Sequence, residues 1–149
     1  MAKERTLAIL KPGILQRRLT GTVISRIEKK GFDIIGMKLV KISKKTVETH
    51  YKEHAGKPFY ESLTGYMTSS PSIVMVLERE NAVSALRKLT GSTNPDEAQP
   101  GTIRGDYGLH VERNIIHASD SSESAKREVE LFFTEDEINP FEDGNSLWY

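Results

Sequence analysis

The chain has 149 residues, of which 37% are hydrophobic and 28% are charged, as in an ordinary folded protein and unlike a disordered one. Lysine plus arginine and aspartate plus glutamate both number 21, so the net charge of zero does not indicate nucleic acid as a partner. The absence of cysteine excludes disulfide and thiolate chemistry, and the lack of a long apolar run or signal-peptide pattern predicts a cytoplasmic protein with no membrane partner.

Apolar periodicity divides the chain into alternating strands and helices. Residues 6–10 form a compact apolar run that Lys11-Pro12-Gly13 ends, which is typical of a central strand followed by a turn. Predicted strands cover residues 6–10, 32–42, 73–77 and 114–116, and predicted helices cover 19–30, 44–54, 59–67, 81–89 and a segment beginning near 120.

This order of elements is a repeated βαβ pattern with one extra helical pair. It predicts an α+β fold of the ferredoxin-like (βαββαβ) type, with a four-stranded antiparallel sheet and helices on one face. An extra helical hairpin, a long loop and a C-terminal extension complete the expected architecture. Because no internal repeat or linker is visible, residues 1–149 are expected to form one domain.

Candidate anion-binding side chains are spread along the chain. There is no glycine loop of the GxxxxGK[ST] type, so side chains would have to hold any phosphorylated ligand. Residues 92–113 show no periodicity, and a loop of this length is usually functional or disordered. The candidates are Lys11, Arg87, Thr93 and Arg104. Taken singly, three of these residues have a more common alternative role. Lys11 could be a surface lysine at a strand end, Arg87 could complement a helix dipole, and Arg104 could be a solvated arginine in a turn.

His117 follows the predicted strand at 114–116 and precedes a helix that Asp120 or Ser121 can cap. In that helix, Glu128 falls beside the apolar positions, on the flank of the buried face. One interpretation is that Glu128 turns inward, accepts a hydrogen bond from one imidazole nitrogen and leaves the other as a nucleophile. The alternative, a surface glutamate at a helix edge, is equally compatible with the spacing.

His50 and His54 stand four residues apart on a predicted helix, a spacing that can bind zinc. The residues between them do not form HExxH, and the sequence shows no further ligand set. Exposed helix residues are therefore the favoured interpretation for both histidines.

The motifs resemble those of the nucleoside diphosphate kinase family over nearly the whole chain. The family hallmark Asn-x-x-His-Gly-Ser-Asp corresponds to Asn114-Ile-Ile-His117-Ala118-Ser119-Asp120. The segments at 4–6, 91–95, 100–106 and 119–125 match in order and spacing. The resemblance implies transfer of the terminal phosphoryl group from a nucleoside triphosphate, typically ATP, to a nucleoside diphosphate in two half-reactions through a phosphohistidine. Such an enzyme maintains nucleotide pools.

The resemblance also implies a role for each matching residue. His117 would be the nucleophile and Glu128 the carboxylate that bonds its other ring nitrogen, with Tyr51 beside the histidine. Arg87, Thr93 and Arg104 would hold the diphosphate, and Lys11 and Asn114 would reach sugar hydroxyls and phosphates. The base would stack between Phe59 and Val111, and His54 matches a position that touches phosphate in some members. Mg²⁺ is implied as a bridge between phosphates, without dedicated protein ligands.

Two departures from the family pattern stand out. Lys11-Pro12-Gly13-Ile14 lacks the usual aspartate after the proline, which puts the local turn or a subunit contact in doubt. Ala118 replaces glycine after the histidine, at a cost of roughly 1 kcal/mol if that position needs a positive φ. The family forms hexamers or tetramers, and the tail ending Leu147-Trp148-Tyr149 favours a homohexamer here.

A binding module on the same fold is the rival interpretation, because a fold does not determine function. A module that only binds nucleotides or nucleic acid would have no reason to combine His117, Glu128, Arg87, Thr93 and Arg104. All five residues are present in this sequence, which favours the enzyme.

Overall fold

A computed structural model describes residues 2–148 of the chain. Its centre is a sheet of four strands, β1 (Glu4–Leu10), β2 (Asp33–Val40), β3 (Ser72–Arg79) and β4 (Ile116–Ala118). Every pairing is antiparallel, and the strand order is β2-β3-β1-β4. This order, with two βαβ connections, confirms the predicted ferredoxin-like α+β fold.

Six helices within residues 2–148 surround the sheet. They are α1 (Thr20–Lys29), α2 (Lys44–His50), α3 (Tyr60–Met67), α4 (Ala82–Thr90), α5 (Ile103–Tyr107) and α6 (Ser122–Phe132), with 3-10 turns at Lys52–His54 and Glu135–Glu137. Serine and threonine hydroxyls cap three of the helix starts: Ser43 accepts from the Thr46 amide, Thr102 from Gly105 and Ser121 from Ser124. Of the two predicted caps for α6, Ser121 is therefore the one used.

Alternating residues of β1 enter two separate cores. Ala8 and Leu10 pack with α1 and α4, whereas Leu7 and Ile9 pack with α2, α3 and α6. The helices of the two βαβ units thus lie on one face, as predicted, and the helical hairpin and the C-terminal helix cover the other. Burial on both faces explains why β1 reads as a continuous apolar run.

The short strand before α6 lies later than predicted. Residues 114–116 were expected to be extended, but Ile115 has a φ of 76° and β4 begins at Ile116. His117 therefore lies in the middle of the strand, opposite Ile9 of β1, and not at its end. A left-handed residue leaves no periodic signal, so the sequence pattern could not reveal this kink.

Two further predictions required correction. The loop at 92–113 contains the short helix α5, whose first residues, Ile103 and Arg104, are buried. The helix predicted at 44–54 ends at His50, and His54 belongs to the following 3-10 turn. The two histidines therefore do not share one helix face.

The C-terminal segment crosses to β2, where the amide of Asn139 donates to the carbonyl of Ile35 at 2.7 Å. Leu147 and Trp148 are 88% and 82% exposed, so they do not pack on the protein's own surface. Tyr149, the last aromatic residue of the predicted tail, lies outside the described residues. None of the helices within residues 2–148 combines the length and apolar character needed to cross a lipid bilayer.

Candidate active site

His117 and Glu128 are joined directly, which agrees with the inward interpretation of the glutamate. The imidazole Nε2 lies 2.9 Å from Oε1 of Glu128 on α6, and the Ser119 hydroxyl donates to the same oxygen at 2.7 Å. Residues 117 and 119 are two apart in extended chain, so both side chains point to the same side. Glu128 itself is only 6% exposed.

This hydrogen bond fixes the position of the imidazole hydrogen. Burial would raise the pKa of Glu128, but hydrogen bonds from His117 and Ser119 outweigh burial and hold that pKa below its ordinary value. An ionised carboxylate can only accept hydrogen bonds, so the hydrogen of neutral His117 lies on Nε2. Nδ1 then carries the free lone pair, and no group within residues 2–148 hydrogen-bonds to it.

A second polar group lies where β1 ends. Lys11 is 8% exposed and donates from Nζ to Oδ1 of Asn114 at 2.7 Å, while Nδ2 of Asn114 donates to the carbonyl of Thr93 at 3.0 Å. The interpretation of Lys11 as an ordinary surface lysine is therefore wrong. Burial and the nearby charge of Arg104 lower the pKa of Lys11 to about 7.

Arg104 is a buried residue and not a solvated one, with 7% of its surface exposed. Its guanidinium donates to three backbone carbonyls, those of Gly91 (2.9 Å), Asn114 (3.3 Å) and Ile116 (2.6 Å). These bonds tie the end of α4 and the kink at 114–115 to β4. Burial and the charge of Arg87 lower the pKa of Arg104 to about 10, so the group remains charged at neutral pH.

Arg87 lies in the last turn of α4, where its charge complements the helix dipole, and it also reaches the site. Its guanidinium donates to the carbonyl of Ala118 at 3.4 Å. Arg87 can therefore complement the helix dipole and contribute to the cleft at the same time.

One cleft of about 610 Å³ collects nearly all the predicted site residues. Its lining includes Lys11, Tyr51, His54, Phe59, Arg87, Thr93, Arg104, Val111, Asn114 and His117. Glu128 is the exception, since it lies behind His117. At the rim, Phe59 is 43% and Val111 50% exposed. Burial raises the pKa of the Tyr51 hydroxyl, so that group stays protonated.

The interpretation of His50 as an exposed residue is wrong. Its side chain is 3% exposed, and Nδ1 lies 3.9 Å from Oε2 of Glu128. Burial, followed by the charge of His117, lowers the pKa of His50 to about 3. His54 lies apart from it, with Nδ1 3.2 Å from Nζ of Lys57. His50 and His54 therefore do not form the zinc-binding pair that their spacing would allow, although donor atoms of His50, His117 and Glu128 lie within 4.8 Å of one another.

The cleft offers little to a resident divalent cation. Among residues 2–148, the carboxylates that line it are Glu112 and Asp120, and both residues are exposed. Hard cations prefer oxygen ligands and often take several of them from a bound phosphate. A cation in this cleft would therefore depend on oxygen atoms brought by the ligand.

Ser119 and His50 are the two site residues that the sequence reasoning missed. Ser119 could have been found from its spacing, because it lies two residues after His117 in extended chain. His50 could have been found from its helix position, three residues after buried Val47 and next to buried Tyr51.

Both departures from the expected motifs are accommodated locally. Gly13 has a φ of 98°, and the amide of Ile14 donates to the carbonyl of Lys11 at 3.1 Å, so the turn closes without an aspartate. Ala118 is not among the non-glycine residues with positive φ, so the strain that alanine would suffer there does not arise.

The arrangement has two chemically distinct ends. A ring nitrogen with a free lone pair lies among Lys11, Arg87 and Arg104 at one end. Two exposed apolar side chains flank the other end. Such a cleft suits a ligand that carries both a multiply charged anion and a flat ring.

Comparison with known proteins agrees with this description. Residues 4–138 match the family model described as nucleoside diphosphate kinase. A nucleoside diphosphate kinase of Staphylococcus epidermidis is 54% identical over 145 residues, covering 97% of each chain. One from Methanocaldococcus jannaschii is 57% identical over 136 residues, covering 91% of this chain and 97% of the relative.

Solved structures show the same backbone. A halophilic nucleoside diphosphate kinase from Halobacterium salinarum, in complex with CDP, superposes with a TM-score of 0.96 at 40% identity, covering 99% of this chain and 98% of the other. The apo enzyme from Encephalitozoon cuniculi gives 0.93 at 39% identity, covering 97% and 98%.

Proposed function

Because the chain belongs to the nucleoside diphosphate kinase family and transfers phosphoryl groups between nucleotides, we propose that it works through a phosphohistidine at His117. The 2.9 Å contact between Nε2 and Glu128 is the observation that carries this proposal. It leaves Nδ1 as the nucleophile, inside a cleft that is rich in cations.

The reaction has two half-reactions at one site. Nδ1 of His117 attacks the terminal phosphorus of a nucleoside triphosphate, the N–P bond forms, and the P–O bond to the leaving nucleoside diphosphate breaks. A second nucleoside diphosphate then enters, its terminal oxygen attacks the phosphohistidine, and the N–P bond breaks. Glu128 holds the Nε2 hydrogen throughout, which stabilises the positive charge that the ring gains during attack.

Phosphoryl transfer depends mainly on positioning and on stabilising charge at the phosphate oxygens. Lys11, Arg87 and Arg104 supply positive charge, and Thr93 and Asn114 supply hydrogen bonds to phosphate and sugar oxygens. A preorganised donor of this kind contributes roughly 3 kcal/mol to lowering the barrier. Tyr51 lines the same cleft as His117 and has a protonated hydroxyl, and His54 is a further candidate for contact with phosphate.

The base is proposed to lie between Phe59 and Val111 at the rim. Stacking and apolar contact suit every base, because each base has a π-face. Weak discrimination among nucleoside diphosphates is therefore expected. The relative from Halobacterium salinarum was solved with CDP, and we propose that nucleoside diphosphates take the same cleft here.

Mg²⁺ is proposed as the divalent cation, bound mainly through the nucleotide phosphates. The shortage of carboxylates in the cleft supports this, since Mg²⁺ commonly keeps several waters and binds one or two carboxylates plus substrate phosphates. When bound, the ion neutralises charge that develops on the phosphates.

The wider setting is also proposed. Residues 1–149 are taken as one domain, and the cytoplasm is its expected compartment, where the reaction would maintain nucleotide pools. The chain is expected to form a homohexamer, with a tetramer as the alternative. The exposure of Leu147 and Trp148 supports contact of the tail with a neighbouring subunit.

Phosphate transfer to the protein tests the proposal directly. Purified protein is mixed with γ-labelled ATP and Mg²⁺ without acceptor, beside His117→Ala. Acid-labile label is expected on the wild type alone, and added GDP or CDP should discharge it. A wild type that binds nucleotide but takes no label would contradict the phosphohistidine.

A further inference from the structure

His50 is a buried polar residue that the mechanism above does not use. It is the last residue of α2, and its side chain is 3% exposed. Its ring meets the ring of His117 edge-on, with centroids 4.7 Å apart and planes at 84°. The same ring packs against Tyr51 at 4.4 Å and Phe132 at 5.5 Å. An apolar ring would fill this space without burying two polar nitrogens, so packing alone does not explain a histidine here.

Glu128 has one oxygen that the mechanism leaves free. Its Oε1 accepts from both His117 and Ser119, whereas Oε2 accepts no hydrogen bond from residues 2–148. Nδ1 of His50 faces Oε2 at 3.9 Å. This distance is too long for a hydrogen bond, but a small rotation of either side chain would bring an Nδ1–H donor within range.

The ring of His50 is neutral under physiological conditions. Burial, followed by the charge of His117, lowers its pKa to about 3, and Glu128, Lys11 and Arg127 supply the other charges that act on it. A neutral imidazole carries one hydrogen, which the adjacent carboxylate favours on Nδ1. Nε2 of His50 is buried without a partner. That environment suits a lone pair better than an N–H group, because buried unpaired donors are rarer than acceptors.

We propose that His50 is a positioning residue for the phosphoryl transfer, holding the carboxylate of Glu128 and the ring of His117 so that the His117 hydrogen stays on Nε2. A carboxylate held through one oxygen can rotate about its last side-chain bond. Contact at the second oxygen removes this freedom, and partners of this kind commonly orient a reactive imidazole. The inference rests on the proposed role of His117 as phosphate acceptor.

Two substitutions of similar size separate a polar role from packing. In His50→Asn the amide nitrogen lies near the place of Nδ1 and keeps a donor toward Glu128, whereas His50→Leu has none. His50→Leu is expected to take label from γ-labelled ATP and Mg²⁺ about tenfold more slowly, the effect of one hydrogen bond to a charged group. His50→Asn is expected to retain most of the rate. Thermal unfolding of both variants checks that they are folded.

Nitrogen NMR of ¹⁵N-histidine-labelled protein gives a readout that needs no nucleotide. His117 is expected as the Nε2–H tautomer in the wild type and in His50→Asn, and as a mixture in His50→Leu. His50 of the wild type is expected to carry its hydrogen on Nδ1.

Three outcomes would overturn the role of His50. They are a hydrogen on Nε2 of His50 in the wild type, an unchanged His117 tautomer and rate in His50→Leu, and equal losses in the two variants. Absence of label on the wild type would instead overturn the proposed function. In that case, the His117 tautomer in the wild type and in His50→Leu would still show whether His50 positions the ring.

Discussion

The two ends of the cleft are built in opposite ways. At the chemical end, His117 and Ser119 both hydrogen-bond to Oε1 of Glu128. At the rim, Phe59 and Val111 are 43% and 50% exposed. Hydrogen bonds fix the positions of the side chains at the first end, whereas Phe59 and Val111 at the rim offer apolar surface. Under the proposed function, this difference would make the site exacting about the phosphoryl group and permissive about the base.

Replacing Glu128 should cause the largest loss of activity, because it removes the hydrogen bond that orients His117. In Glu128→Gln, the amide nitrogen competes to donate to Nε2 of His117 and shifts the ring hydrogen to Nδ1, which blocks the nucleophile. We expect the phosphorylation rate to fall by at least about a hundredfold, as measured by rapid quench with labelled ATP. Glu130→Gln, an exposed change on the same helix, is the matched control. Equal phosphorylation rates in the two variants would contradict the proposed role of Glu128 in orienting His117.

A smaller and uniform effect is expected at the permissive end. Phe59→Ala removes one stacking surface, so KM should rise roughly tenfold for adenine, guanine and cytosine nucleotides alike, with kcat nearly unchanged. Steady-state kinetics with three donors measures this, and Phe141→Ala, which changes an exposed phenylalanine of the tail, serves as control. A rise in KM confined to one base would show that the rim discriminates between bases and would contradict the expected weak discrimination.

At the chemical end, we also expect Lys11 to take up a proton when a nucleotide binds. In the empty cleft its pKa is lowered to about 7 by burial and by Arg104, so the amine is mostly neutral at pH 8. Bound phosphates stabilise the ammonium form and raise this pKa, so nucleotide binding should take up about one proton at pH 8. Calorimetry in buffers of different ionisation heat measures the uptake. Persistence of the same uptake in Lys11→Met would contradict its assignment to Lys11.

The turn that follows Lys11 gives the smallest expected effect. Gly13 has a φ of 98°, and a Cβ there would meet no atom within 4 Å, so Gly13→Ala should destabilise the protein through backbone strain alone. We expect about 1 kcal/mol in chemical denaturation. Gly21→Ala in α1, where space is equally free and φ is ordinary, should instead stabilise by about 0.5–1 kcal/mol. Loss of stability in both would argue against the strained turn.

The sequence predicts regular elements well, because periodicity reports directly which side chains are buried. The apolar run of β1 and the flanking position of Glu128 on α6 are examples. Periodicity does not report left-handed residues, so the kink at Ile115 and the later start of β4 were missed. Burial of Arg104 and His50 arises from contacts between elements distant in sequence, which local patterns do not contain.

Identifying the ring nitrogen of His117 that carries the phosphate is the most direct test of the proposed mechanism. Phosphoenzyme prepared with ATP and Mg²⁺, with histidine ¹⁵N-labelled, is examined by NMR for coupling of phosphorus to a ring nitrogen of His117. Because Glu128 holds Nε2 at 2.9 Å, we predict phosphate on Nδ1 alone. Phosphate on Nε2 would require the hydrogen bond to Glu128 to be broken and would contradict the proposed roles of His117 and Glu128.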